Sequence, residues 1–436
     1  MRNKTQRSVR ALTLSAALAT SLVLTACVGG GDGPDTASDA GVIPTDHKGT
    51  VRLLLEGVPD SDIVKSLIPE FNKVYPDIEI KVETLVYDQM RDKLIASFQA
   101  PTPNYDLIVV DNPWYADFSQ AGFLEDLDAR IGNTPDFDLA DYFTPLTDIT
   151  TVDGTTYGIP FYNYGLGYIY RDDLFDEAGL EVPTTLDELV AVSQELNSAD
   201  FSGIALMPQR GYKVFEEWGN FLYAAGGSIY DESGQPSLDT PEAEEALEKY
   251  IELYKTAAPA NSLNWAVDEA TRAVASGSSA AMVSYNWSLP PLNSADGQSG
   301  DLAGKFKLAP MPGGKSVLGE WGWSIPFNSG DSDAAWAFLS WITSKDVDVE
   351  RVKAGGSVTR SSTVDRDDVT SLGEGPEYWA AIKHILANSA PLSQGEHGEE
   401  MIQAVGTELN AAVAGTKSVE EALAAANAAI KKIQGL

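Results

Sequence analysis

Residues 104–131 read NYDLIVVDNPWYADFSQAGFLEDLDARI. Within them Asp106–Val110, DLIVV, is apolar after its first residue and stops at Asp111-Asn112-Pro113. A short β-branched run closed by turn formers predicts a buried strand. Upstream, Val51-Arg52-Leu53-Leu54-Leu55 predicts a second buried strand. Between the two, Ile63, Leu67, Phe71 and Val74 are spaced four, four and three apart, which places one apolar stripe on a helix that Pro76 ends. Ile78, Ile80 and Val82 then alternate as a strand. Strand and helix in turn predict βαβ units and largely parallel sheets, an α/β chain.

The same alternation continues downstream. Thr185-Leu186-Asp187-Glu188 has capping-box spacing and opens a helix through Leu189 and Leu196. Thr240-Pro241 starts another, with Leu247, Ile251 and Tyr254 on its face. Ala280–Tyr285 returns as a strand, and Trp336, Leu339 and Ile342 share a helical face. Trp336, Trp341 and Trp379 are assigned to core packing. Roughly 390 residues of this pattern are too many for one compact core, so two lobes are expected.

The N-terminus reads as an address. Arg2, Lys4, Arg7 and Arg10 precede an apolar stretch, Ala11–Ala26, that ends Leu24-Thr25-Ala26-Cys27. A basic start, a short apolar core and a small-residue cleavage site describe a secretory signal peptide over residues 1–26. The stretch is shorter than the ~20 residues that span a bilayer. Leu-x-Ala-Cys resembles a bacterial lipobox, which implies that Cys27 is lipidated and anchors the chain to the outer face of the cell membrane. Residues 27–48 are then the lipidated cysteine and a Gly/Asp/Ser/Thr/Pro tether.

Composition narrows the function. Cys27 is the only cysteine, so disulfides, thiol catalysis and cysteine metal sites are not expected beyond it. The net charge is -34, and removing the four basic residues of 1–26 takes it to -38. Nucleic-acid binding needs a basic footprint that this chain lacks. His47, His384 and His397 are not at metal-ligand spacing, so no metal and no cofactor are expected. Gly277-Ser278-Ser279 and Gly356-Ser357 lack the glycines of a nucleophile elbow. Gly314-Lys315-Ser316 has Ala309 where a phosphate-binding loop requires glycine. A two-carboxylate glycosidase is not excluded by motif, because 64 acidic residues allow countless pairs.

From about Val51 onward the chain resembles the extracellular solute-binding proteins of bacterial carbohydrate ABC importers, the maltose-binding-like group. Four stretches carry the likeness: 104–131; 153–180, DGTTYGIPFYNYGLGYIYRDDLFDEAGL; 279–287, SAAMVSYNW; and 319–326, GEWGWSIP. The resemblance implies two α/β lobes joined by a hinge, three chain crossings and a ligand in the cleft between lobes. It places the crossings near 162–164, 284–287 and 322–327. One lobe would hold 50–162 plus 286–325, the other 163–285 plus 326–436. It implies a monomer that is no enzyme and hands a sugar or oligosaccharide to ABC permease subunits. A secreted glycoside-processing enzyme, or a receptor for a polyol or polyamine, remains open beside it.

Sugars present apolar C–H faces to aromatic rings and hydroxyls to directional polar groups, and open α/β sheets bind ligands at the carboxyl ends of strands. The residues that follow strands are therefore the candidates: Glu56, Tyr87, Asp111 and Trp114. Tyr162, Asn163, Trp287, Trp321 and Trp323 lie at the crossings, and Arg360 in a glycine-rich loop. Trp114, held behind Pro113, is expected to project into the cleft. Alanine there would weaken binding about thirtyfold while barely changing the ligand-free melting temperature.

Overall fold

The computed structural model describes residues 39–393 and 395–436. The signal segment and Cys27 lie outside them. The buried runs form β1 (Gly49–Glu56), β2 (Ile78–Leu85) and β3 (Leu107–Asp111), parallel in the order β2-β1-β3. All five residues of β3 are buried, whereas β2 alternates in burial as an edge strand does. The intervening helix, Pro59–Val74, starts on a proline with Asp60 and Asp62 in its first turn, where the helix dipole favours acids. It buries Val64 and Phe71 and leaves Val74 exposed, so its stripe is rotated slightly from the predicted one. The Thr185 capping box forms, with Glu188 N–H donating to Thr185 Oγ1 at 3.2 Å.

Two long strands join the lobes. After the small hairpin β4 (Thr151–Val152) and β5 (Thr155–Thr156) comes β6, Ile159–Arg171, thirteen residues all buried. Its first part pairs antiparallel with β9 (Val317–Ser324), which pairs in turn with β3. Its second part pairs with β7 (Ala281–Tyr285) and β8 (Phe306–Ala309). A register shift between Pro160 and Tyr162 marks a bulge, a device that bends a strand. The short β10 (Ala390–Pro391) lies on β9. The first lobe is thus built on β2-β1-β3-β9, the second on β7, β8 and the far end of β6.

Three expectations are corrected. Residues 284–287 are no crossing, because β7 and β8 both pair with the second part of β6 and the chain stays in the second lobe between them. The helix Ser332–Ile342, expected in the second lobe, packs on β1, β3 and Pro59–Val74 of the first. The third crossing therefore lies between Lys345–Lys353, which packs on that same first-lobe layer, and Pro376–Asn388, which packs on β6 and β8. The described end of the tether is also bound. Gly41 O accepts from Thr134 Oγ1 at 2.7 Å and from Trp336 Nε1 at 3.0 Å, Arg130 donates to Ala40 O at 3.1 Å, and Ile43 is buried. One buried isoleucine and the backbone carbonyls of Ala40 and Gly41 make this docking, which a composition average cannot register.

Candidate functional site

Sheet register assembles the centre of the site. Asp111 on β3 pairs with Trp321 on β9, and Trp321 pairs with Tyr162 on β6. Residues directly opposite across strands point to the same face, so this acid and these two rings form one row. Tyr162 stacks on Trp321 with centroids 5.9 Å apart. Trp114, on the turn after β3, meets Trp321 edge-on at 5.2 Å and Tyr87 at 5.7 Å. Tyr164 lies over Gly319, where an added Cβ would come within 2.0 Å of its ring. That missing side chain lets Tyr164 reach across β9 and donate to Asp111 Oδ1 at 2.9 Å.

Asp111 is fully enclosed. Tyr87 donates to its Oδ2 at 3.1 Å and the Asn112 amide to Oδ1 at 2.9 Å. Burial nevertheless raises its pKa well above the usual carboxylate range, against those hydrogen bonds, and the charge of Glu56 adds to the rise. Glu56, at the end of β1, accepts from Tyr162 and is likewise shifted up by burial.

The second lobe contributes two helix starts. On Tyr212–Ala224, Lys213 donates to Glu216 Oε2 at 2.8 Å and to Tyr285, and Tyr285 donates to the same Oε2 at 2.7 Å. Burial alone would lower the Lys213 pKa, but Glu216 outweighs it and keeps the ammonium charged. Tyr285 meets Tyr164 at 6.2 Å and stacks on the exposed Trp287 at 4.8 Å, which carries the aromatic surface to the rim. On Gly398–Val413, Glu399 accepts from Tyr87 at 3.4 Å. Just before it, Ser393 and Asn112 exchange two hydrogen bonds of 3.2 Å, and His397 N–H donates to Asp117 at 2.7 Å. The lobes are closed on one another at this edge.

Of the ten sequence candidates the structure brings six together: Glu56, Tyr87, Asp111, Trp114, Tyr162 and Trp321. Trp287 stands at the rim. Three are elsewhere. Trp323 is roofed by Phe161 and Phe338 in the first-lobe core. Arg360 is buried on Tyr142 and donates to the carbonyls of Phe137, Asp138 and Thr343, so its guanidinium fork is spent on holding the chain together. Asn163 faces away from its neighbours Tyr162 and Tyr164 and donates to Val358 O at 2.7 Å, tying β6 to the third crossing. The sequence reading missed Lys213, Glu216, Tyr285 and Glu399. Most of them sit on helix starts, for which a rule about strand ends has no signal. Trp336, assigned to the core, is fully buried there. Among the described residues no group of three or more His, Cys, Asp or Glu could hold a metal ion.

Behind the row, opposite Asn163, Glu320 is fully buried with neither carboxylate oxygen hydrogen-bonded among the described residues. Burial holds its pKa well above the ordinary 4.5. The folded chain therefore keeps a proton that the unfolded chain releases, and stability declines as pH rises above about 4.5. Glu320→Gln is expected to melt above the parent at pH 8 and equal to it at pH 4. A variant that melts lower at pH 8 would show that the charged form is stabilised after all.

The family model described as bacterial extracellular solute-binding protein matches residues 58–349. The mannitol-binding protein of Pseudomonas aeruginosa is 27% identical over 410 residues, 88% of this chain and 93% of that one. A probable amino-acid ABC transporter periplasmic-binding protein of Sinorhizobium fredii is 24% identical over 79% of this chain and 80% of its own length. Among solved structures, an ABC transporter solute-binding protein from Agrobacterium radiobacter K84 in complex with ribitol superposes with a TM-score of 0.74 at 26% identity. That match covers 90% of this chain and all of the other.

Proposed function

We propose, for a chain that belongs to the bacterial extracellular solute-binding protein family, that its solute is a carbohydrate or polyol, held between the lobes and passed to the permease of an ABC importer. The observation that carries this is the row Asp111–Trp321–Tyr162 with Trp114, Tyr87 and Tyr164 around it. Ring faces beside buried carboxylate acceptors suit a molecule with C–H faces and many hydroxyls, and charge-assisted hydrogen bonds are the stronger kind. The mannitol-binding relative and the ribitol complex support the same class. An amino acid fits less well: its carboxylate would meet Glu56, Asp111 and Glu399, while Arg360 is committed elsewhere and Arg210 is exposed, bonded to Thr407.

The lobes open and close about β6, β9 and the third crossing, a hinge motion. Capture without chemistry is the expected activity. A thermal-shift screen against polyols, monosaccharides and oligosaccharides tests it, since ligand at a hundredfold excess over Kd stabilises by about 2.7 kcal/mol. Chromatography of the same incubations should show every sugar unchanged. Release of a smaller sugar would replace this reading with a glycoside-processing enzyme.

No helix among the described residues is long and apolar enough to cross a membrane. We read the protein as a monomer tethered outside the cell membrane by acyl chains on Cys27, behind a signal peptide of residues 1–26. Cys27→Ala is expected to appear in the soluble extracytoplasmic fraction while the parent stays with membranes. Membrane retention of the variant would count against the anchor.

A further inference from the structure

The closed cleft has an imbalance of charge that a neutral sugar leaves in place. Glu56 and Asp111 of the first lobe and Glu399 of the second converge on Tyr87, and all three carboxylates act on its hydroxyl. None of the three has an ion-pair partner among the described residues; of the carboxylates at this site only Glu216 has one, Lys213. Asp111 and Glu399 share a single hydroxyl proton, that of Tyr87, at 3.1 and 3.4 Å. Closing the lobes therefore brings the buried carboxyl of Asp111 and the half-buried carboxyl of Glu399 to opposite sides of one donor, with neither of them ion-paired among the described residues.

Two further atoms are waiting for a partner. The indole N–H of Trp114, 1% exposed in the middle of the aromatic cluster, has no acceptor among the described residues. Glu216 Oε1, fully buried beside Tyr285 and Lys213, has no donor among the described residues. A ligand that satisfies these groups offers an acceptor oxygen, a donor and positive charge. The rings add a preference of the same sign, because aromatic faces attract cations.

We propose, on the carbohydrate reading above, that this protein takes a basic carbohydrate, an amino sugar or amino polyol whose ammonium group lies among Glu56, Asp111 and Glu399. Its hydroxyls serve Trp114 and Glu216, and its C–H face lies on Trp321 and Tyr162. The ammonium supplies the positive charge that no side chain among the described residues brings to these three carboxyl groups, beside the donors Asp111 and Glu399 already have.

Calorimetric titration of the purified protein at pH 7 with matched ligands tests this. The probes are glucosamine, galactosamine and mannosamine against their neutral parents and N-acetyl forms, 1-amino-1-deoxysorbitol against sorbitol, and spermidine. At least one amine is expected to bind about tenfold or more tighter than its parent, with the gain lost on N-acetylation. Glu399→Gln should reduce that amine-to-parent ratio. Parents that bind as tightly as their amines overturn the inference and leave the carbohydrate reading standing. Binding of spermidine alone overturns both, and binding of nothing in the panel overturns the inference while the broader sugar screen decides the carbohydrate reading.

Discussion

Trp114→Ala is expected to cost about 3–5 kcal/mol of ligand-free stability and to remove most solute binding with it. The ring is 1% exposed and touches Tyr87, Phe118 and Trp321, three aromatic neighbours of its own lobe. Truncation leaves a cavity that these rings can fill only by leaving the positions in which they face the cleft. The sequence had suggested a projecting ring whose loss would spare the fold. The 3-10 turn Asn112–Trp114 instead lays the indole flat among its neighbours, so packing and recognition fall on one residue. Denaturant unfolding of the ligand-free variant measures the first effect and titration the second. A variant that unfolds like the parent would restore the projecting ring.

Asp111→Asn should do the opposite to stability. The amide keeps the shape and can still accept from Tyr164 and the Asn112 amide. It replaces the acceptor facing Tyr87 with a donor and deletes the charge. Solute affinity is expected to fall by about a hundredfold, the ~3 kcal/mol typical of truncating one partner of a buried charged interaction. Because burial raises the folded-state pKa of Asp111, the charge destabilises the folded chain increasingly as pH rises. The asparagine variant should thus melt at or above the parent temperature at pH 7.5 while binding poorly. Unchanged affinity would mean that Asp111 supports Tyr164 and Tyr87 without touching solute.

The α/β class, the three parallel strands and the helix caps were legible in the sequence because each depends on neighbours a few residues away. A run such as DLIVV buries itself wherever it is placed, and Thr185 finds Glu188 one turn on. The same locality yielded Glu56, Tyr87, Asp111 and Trp114, since the end of a buried strand is visible in composition alone. The row at the centre of the site was not visible in that way. Asp111, Tyr162 and Trp321 meet through the registers of β3, β9 and β6, strands more than forty and two hundred residues apart in sequence. Which side of a strand faces the cleft alternates residue by residue. Tyr162 and Tyr164 therefore enter the site while Asn163 between them turns to Val358. Arg360 was placed by loop composition, but burial demanded that its charge be satisfied, and the carbonyls of Phe137, Asp138 and Thr343 took it. Local sequence determined which residues could be buried and where chain elements end. Only the tertiary structure decided which of those ends meet, because register and lobe closure are set by contacts between segments that composition cannot pair.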